Sequence, residues 1–117
     1  MTPEEVVRAE LGAWSSLDVD QIMMYFSDDA TWLPAFSFPT YSGLEEIRKA
    51  VEGFVKSMTK ADIEILNLAV AGNVVLTERV DRFIYKGKPL DAPGMGAFEV
   101  SGDKITAWRD YFVLIDD

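Results

Sequence analysis

The chain has 117 residues, 49% of them apolar, with seven Phe, four Tyr and three Trp, and eleven basic against twenty acidic residues give a net charge of −9. That length fits one domain around one core, expected to span 1–117, and such a charge repels phosphate backbones and anionic headgroups, so neither nucleic acid nor a membrane is an expected partner. With no His and no Cys, a Ser-His-Asp or Cys-His nucleophile, a disulfide framework and a zinc site of the usual nitrogen or sulfur ligands are all excluded, which leaves Asp and Glu assisted by Arg, Lys or Tyr.

The start, Met1-Thr2-Pro3-Glu4-Glu5, lacks the basic and apolar stretches of a signal peptide, and no run approaches the ~18 apolar residues of a membrane span. A cytoplasmic location is the expectation. Thr2, Pro3 and Glu5 form a capping box, and Val6, Val7, Leu11 and Trp14 recur at helical spacing behind it, predicting a helix over 3–15. Asp18 caps a second, short helix whose apolar side is Ile22, Met23, Tyr25 and Phe26, and Ser27-Asp28-Asp29 stops it. Residues 30–33 read as a short strand and 34–41 as an irregular aromatic loop. Gly43 precedes a third helix over about 44–58, with Ile47, Val51, Phe54, Val55 and Met58 on one side.

From Lys60 the period changes to two, predicting strands over about 61–71, 74–86, 92–101 and 104–114. Ala71-Gly72-Asn73 and Ser101-Gly102-Asp103 are hairpin turns between apolar runs, and Lys86-Gly87-Lys88-Pro89 makes the remaining turn. Helices first and an antiparallel meander after them describe an α+β domain with its helices on one face of the sheet.

Alternation puts Val75, Thr77, Arg79, Asp81, Phe83 and Tyr85 on one face of strand 74–86 and Val74, Leu76, Glu78, Val80, Arg82 and Ile84 on the other. In strand 104–114, Thr106, Trp108, Asp110, Phe112 and Leu114 oppose Ile105, Ala107, Arg109, Tyr111 and Val113. Every face mixes apolar residues with a few charges, where a sheet with one solvated face shows cleaner alternation. Both faces are therefore expected to be covered, one by the helices and the other by a second copy of the chain. Arg79 and Asp81 form either a solvated ion pair at the edge or part of an enclosed site facing Trp108, Asp110 and Phe112; periodicity alone leaves both open.

Three segments carry a resemblance: Leu76-Thr77-Glu78-Arg79-Val80-Asp81, then Gly94-Met95-Gly96-Ala97-Phe98, then Lys104-Ile105-Thr106-Ala107-Trp108-Arg109-Asp110-Tyr111-Phe112. Together they resemble the limonene-1,2-epoxide hydrolase family, within the fold group of nuclear transport factor 2, ketosteroid isomerase and the SnoaL-like cyclases. The resemblance implies a cone-shaped, cystatin-like fold, with three helices on a curved, mostly antiparallel sheet and dimerisation through the sheet. It also implies an Asp–Arg–Asp group in which Asp81 is the acid, Asp110 the base and Arg79 the bridge, working without a covalent intermediate, a metal or another cofactor.

Such chemistry needs a proton for the epoxide oxygen and a base for the attacking water, so one carboxyl must stay protonated while its neighbour is ionised. The candidate residues around a small apolar substrate are Trp32, Tyr41, Trp108, Phe112, Phe98, Phe83 and Met23. Met23 and Met24, with Phe26, also suit the core beneath the sheet, and Phe36, Phe38 and Tyr41 suit either a cavity mouth or a dimer contact. Glu78, Arg82 and Arg109 point away from the site as structural ion pairs. Lys86 and Lys88 flank a turn, and Asp116 and Asp117 form a solvated tail.

The chain departs from the family at its water-holding Tyr and Asn, where it has Trp32 and Leu33 or Pro34. Indole donates one hydrogen bond and accepts none, and leucine and proline side chains offer neither. Tyr41, Thr31 or Thr77 could hold the water instead. Alternatively, the acid/base pair serves an isomerisation or cyclisation in which no water attacks. A non-catalytic ligand-binding module is the third expectation.

Overall fold

The protein's computed structural model describes residues 1–112 and 115–116. The strand expected over 104–114 therefore has Val113 and Leu114 outside the described residues, as is Asp117 of the expected tail.

Helix α1 runs Pro3–Ala13 and is held by the expected box: the Thr2 hydroxyl accepts from Glu5 N at 3.2 Å, and Glu5 Oε1 accepts from Thr2 N at 2.8 Å. It buries Val6, Val7 and Leu11, each contributing roughly 1.5–3 kcal/mol by leaving water. A 3-10 turn, Trp14–Ser16, follows in place of the last helical residues expected. Helix α2, Val19–Met23, is capped by Asp18, whose Oδ1 accepts from Asp20 N and Gln21 N. Helix α3 runs Gly43–Lys56 and buries Ile47 and Val51.

Strand β1, Phe26–Leu33, begins four residues before the expected strand and takes in Ser27, Asp28 and Asp29. Phe26 thus belongs to the sheet, not to α2. Its alternation is hidden because the polar residues are half-buried or exposed at the start of the strand. Strand β2, Tyr41–Ser42, pairs with β1, so Tyr41 passes from the expected loop to the sheet.

The meander follows as β3 (Met58–Ala71), β4 (Val74–Tyr85), β5 (Lys88–Ser101) and β6 (Lys104–Phe112). Met58 passes from the expected helix to the strand. β5 begins four residues earlier than expected because Lys86 and Gly87 alone make the turn, with φ of 52° and 80°. Two central residues with positive φ suit the twist of the flanking strands, and glycine takes such a φ without a Cβ clash. Ile115–Asp116 form β7 on β5, so the backbone of Asp116 is paired where a solvated tail was expected.

The strand order is β2-β1-β6-β5-β4-β3, with β7 also on β5. Consecutive strands from β3 to β6 pair antiparallel, as expected, whereas β1 pairs with β6 in parallel. Residues from α1, α2 and α3 join Val75, Phe98 and Trp108 in one buried cluster, so the helices cover the face of the sheet to which these three belong. Thr77, Arg79 and Asp81 share that face and are buried, which removes the solvated-edge alternative. The outer face leaves Leu76, Met95 and Tyr111 exposed. No helix among the described residues is long and apolar enough to cross a membrane.

Candidate active site

Thr77, Arg79 and Asp81 alternate along β4, so their side chains rise from one face of the sheet. Trp108, Asp110 and Phe112 do the same on β6. Strand β5 lies between the two, and glycines occupy its intervening positions. Gly96 is in register with both Thr77 and Asp110, and Gly94 with both Arg79 and Phe112. A Cβ on Gly96 would come within 2.4 Å of Asp110 Oδ1 and 2.6 Å of Arg79 Nη1, and one on Gly94 within 2.4 Å of the Phe112 ring. The bare backbone of β5 is therefore the channel through which Arg79 reaches across to Asp110.

All five guanidinium N–H groups have acceptors. Nε donates to Asp81 Oδ1 at 3.1 Å and Nη2 to Asp81 Oδ2 at 2.9 Å. Nη1 donates to Asp110 Oδ1 at 3.1 Å and to Thr77 Oγ1 at 3.0 Å, and Nη2 donates to Asp110 Oδ2 at 3.0 Å. Arg79 is 0% exposed and lies 5.0 Å from the centroid of Phe112 and under 6 Å from those of Phe98 and Trp108. The Trp108 indole N–H donates to Asp110 Oδ1 at 2.7 Å. Three of the four acceptor positions of Asp110 are thus occupied, against two of the four on Asp81.

Burial pushes the Asp110 carboxyl up to about 6, against the opposing pull of the Arg79 charge and hydrogen bonds; the Asp81 charge adds to the rise and the Trp108 N–H offsets part of it. Burial acts to lower Arg79, but the charges and hydrogen bonds of Asp110 and Asp81 outweigh it and hold the guanidinium above its ordinary value. Arg79 is a fixed cation. The two acids share it.

Above the group lies a cavity of about 190 Å³, smaller than the ~300–1,000 Å³ of sites for drug-sized ligands. Trp14 of the 3-10 turn, Trp32 of β1, Pro34 and Phe38 of the loop after β1, and Phe54 of α3 wall one part of it. Ile63, Phe83, Tyr85 and Leu90 of β3, β4 and β5 wall another, and Asp81 and Asp110 are its charged lining among the described residues.

Of the residues expected around a substrate, Trp32, Trp108, Phe112 and Phe83 line this cavity. Three others do not. Phe98 is fully buried, with the Trp108 ring at 4.9 Å forming the wall in its place. Tyr41 packs on Trp32 at 6.2 Å, and Met23 belongs to the core cluster, where α2 holds it at a groove formed with Phe26 and Leu44. Trp32 serves both as core and as wall: it is 3% exposed and packs against five other aromatic rings. Its Nε1 is buried without a hydrogen-bond partner among the described residues.

Among the alternatives for holding water, Thr77 is engaged by Arg79, while Thr31 and Tyr41 are not among the lining residues. Phe38 lines the cavity, whereas Phe36 is 79% exposed. On the outer face Arg82 pairs with Glu64 and Arg109 with Glu99, as expected, but Glu78 accepts from the Asn67 amide and makes no ion pair among the described residues.

Sequence reasoning missed the donor role of Trp108, the clearance at Gly96, and Glu10. Glu10 is fully buried on α1 behind the cavity wall: Oε2 accepts from Trp14 Nε1 at 3.1 Å and Oε1 has no partner among the described residues. Burial raises its carboxyl well above the ordinary glutamate value, with the Trp14 bond acting the other way. The glycine pair was legible as a signal, since two glycines at alternate positions of a strand mark a close approach. No group of three or more His, Cys, Asp or Glu that could hold a metal ion occurs among the described residues.

Epoxide hydrolase EphG of Mycobacterium tuberculosis is 38% identical over 55 residues, which span 47% of this chain and only 37% of that relative. A solved M. tuberculosis epoxide hydrolase, described as similar to the limonene enzymes, is 28% identical with a TM-score of 0.81, covering 93% of this chain and 80% of its own. The epoxide hydrolase/cyclase-like enzyme SalBIII, which acts in pyran ring formation in the polyether salinomycin, shares the fold at 18% identity, with a TM-score of 0.83 over 95% of this chain and 90% of its own. The fold is thus the expected α+β fold of the SnoaL-like and nuclear-transport-factor-2-like proteins. Residues 1–116 match the limonene-1,2-epoxide hydrolase catalytic domain, and the chain belongs to that family.

Proposed function

We propose that the chain adds water to a small, largely apolar epoxide in one step, using Asp81 as acid, Asp110 as base and Arg79 as the bridge between them. The observation that carries this reading is a buried guanidinium held by two carboxylates at the base of an apolar cavity. Water attacks one epoxide carbon as Asp110 takes its proton; the C–O bond breaks and the oxygen receives the proton of Asp81. The product is a diol, and the net effect on the site is one proton moved from Asp81 to Asp110. Arg79 keeps its proton throughout and fixes both acids through two-point contacts. We further propose that the exposed outer face of the sheet, around Leu76, Met95 and Tyr111, packs against a second copy of the chain.

One observation favours a second reading. Trp32, and Leu33 or Pro34, at the family's water-holding positions, offer a water molecule no accepting side chain. A substrate carrying its own hydroxyl would need no such group, and ring closure by that hydroxyl would use the same acid and base. Incubating a panel of terpene and aryl epoxides in ¹⁸O-water separates the two. One labelled oxygen in a diol supports hydrolysis, and an unlabelled cyclic ether from a hydroxy-epoxide supports closure. Asp81→Asn and Asp110→Asn should each lower the rate by roughly 10²–10⁴-fold. Parent-like rates in both variants would reject the acid/base assignment.

A further inference from the structure

The site holds one buried cation between two carboxylates, so when both are ionised it carries one uncompensated negative charge. That charge faces the cavity, since Asp81 and Asp110 both line it while Arg79 has spent all five donors within the protein. Among the described residues the other titratable lining residue is Tyr85 on β4, and no charged side chain of α1, α2 or α3 lines the cavity. Glu10 sits behind Trp14, and burial raises its carboxyl well above the ordinary glutamate value. A proton can neutralise the charge, and this is the state that acid catalysis requires. A ligand can do so equally well if it brings its own positive charge.

We propose that the cavity is also a binding site for compact apolar ammonium ions, which take the place of the catalytic proton and the epoxide together. The proton-loaded site with a neutral epoxide and the ionised site with an ammonium ion have the same total charge. An N–H of the ion meets the free acceptor positions of Asp81, and its apolar part lies among Trp32, Phe54, Phe83 and Phe112, whose ring faces attract cations. The inference rests on the same triad as the proposed hydrolysis but requires no turnover.

The test uses calorimetric titration of the unaltered protein with benzylamine and with its neutral isostere benzyl alcohol. Salt of about 0.5 M screens attraction by the acidic surface. At pH 8 the ammonium ion should bind at least tenfold more tightly than the alcohol. Because Asp110 stands at about 6, a proton competes at pH 5, and ammonium affinity should fall about tenfold there while the alcohol changes little. Titration in buffers of different ionisation enthalpy should show close to one proton released per ion bound at pH 5 and none at pH 8.

Equal affinities at pH 8, or a cation preference that is the same at both pH values, would overturn the proposal. So would a preference that survives in a folded Asp81→Asn variant. Ammonium binding without any epoxide opening would leave this inference standing and remove the hydrolase reading. Epoxide opening without ammonium binding would do the reverse.

Discussion

Asp81 and Asp110 compete for one guanidinium, and that competition makes a pH prediction. Asp110, as the base, must be ionised when water attacks, and with its carboxyl raised to about 6 it loses that form below this pH. The kcat/KM for epoxide opening should therefore fall below pH 6, approaching tenfold per unit, because this ratio reports the free enzyme's groups. A rate that stays level from pH 7 down to pH 4 would contradict Asp110 as the base. Gly96 gives a second prediction at this scale. Gly96→Ala places a methyl where Asp110 and Arg79 already sit, so activity should be lost, with about 1–3 kcal/mol of stability read from urea unfolding. The residues of the triad were legible in the sequence by resemblance and partly by alternation, which put 79 with 81 and 110 with 108 and 112. Their direction was not, because each face of both strands carries apolar and charged residues together. The Trp108 bond was invisible because an indole two residues from an acid on one strand face reads equally well as plain packing.

Helix α1 contributes a buried acid as well as apolar side chains. Glu10 titrates well above 4.5 in the folded chain and near its ordinary value when unfolded, so the native state holds the extra proton. Stability is full at and below pH 4.5 and declines as pH rises through the window up to the folded value, by no more than about 1.4 kcal/mol per unit. The urea midpoint should drop between pH 5 and 8, and Glu10→Gln should flatten that dependence; identical slopes in both proteins would show that Glu10 does not titrate. At the level of elements, the capping box of α1 and the order of the four-strand meander were readable in advance. The start of β1 was not, since Ser27-Asp28-Asp29 looks like a stop signal and is strand only because its polar side chains stay near the surface. Nor was the parallel pairing of β1 with β6, as local periodicity holds no information on partners so far apart in sequence.

Across the whole molecule the two faces of the sheet differ. The inner one is sealed by helices, while the outer one presents Leu76, Met95 and Tyr111 beside the Arg109–Glu99 pair. If a second copy covers it, sedimentation at about 10 µM should give a dimer, and Leu76→Glu with Met95→Glu should give a folded monomer. A monomeric parent would discard that assembly. The cavity has one more consequence for study of the protein. The chain contains three tryptophans, and Trp14, Trp32 and Trp108 all line the cavity, with neighbouring ring centres 5.4 to 6.5 Å apart. Light absorbed at the red edge of the ultraviolet band is thus re-emitted almost wholly from the cavity wall. The ultraviolet glow of the unlabelled chain is consequently a built-in gauge of cavity occupancy, with no distant chromophore to dilute it.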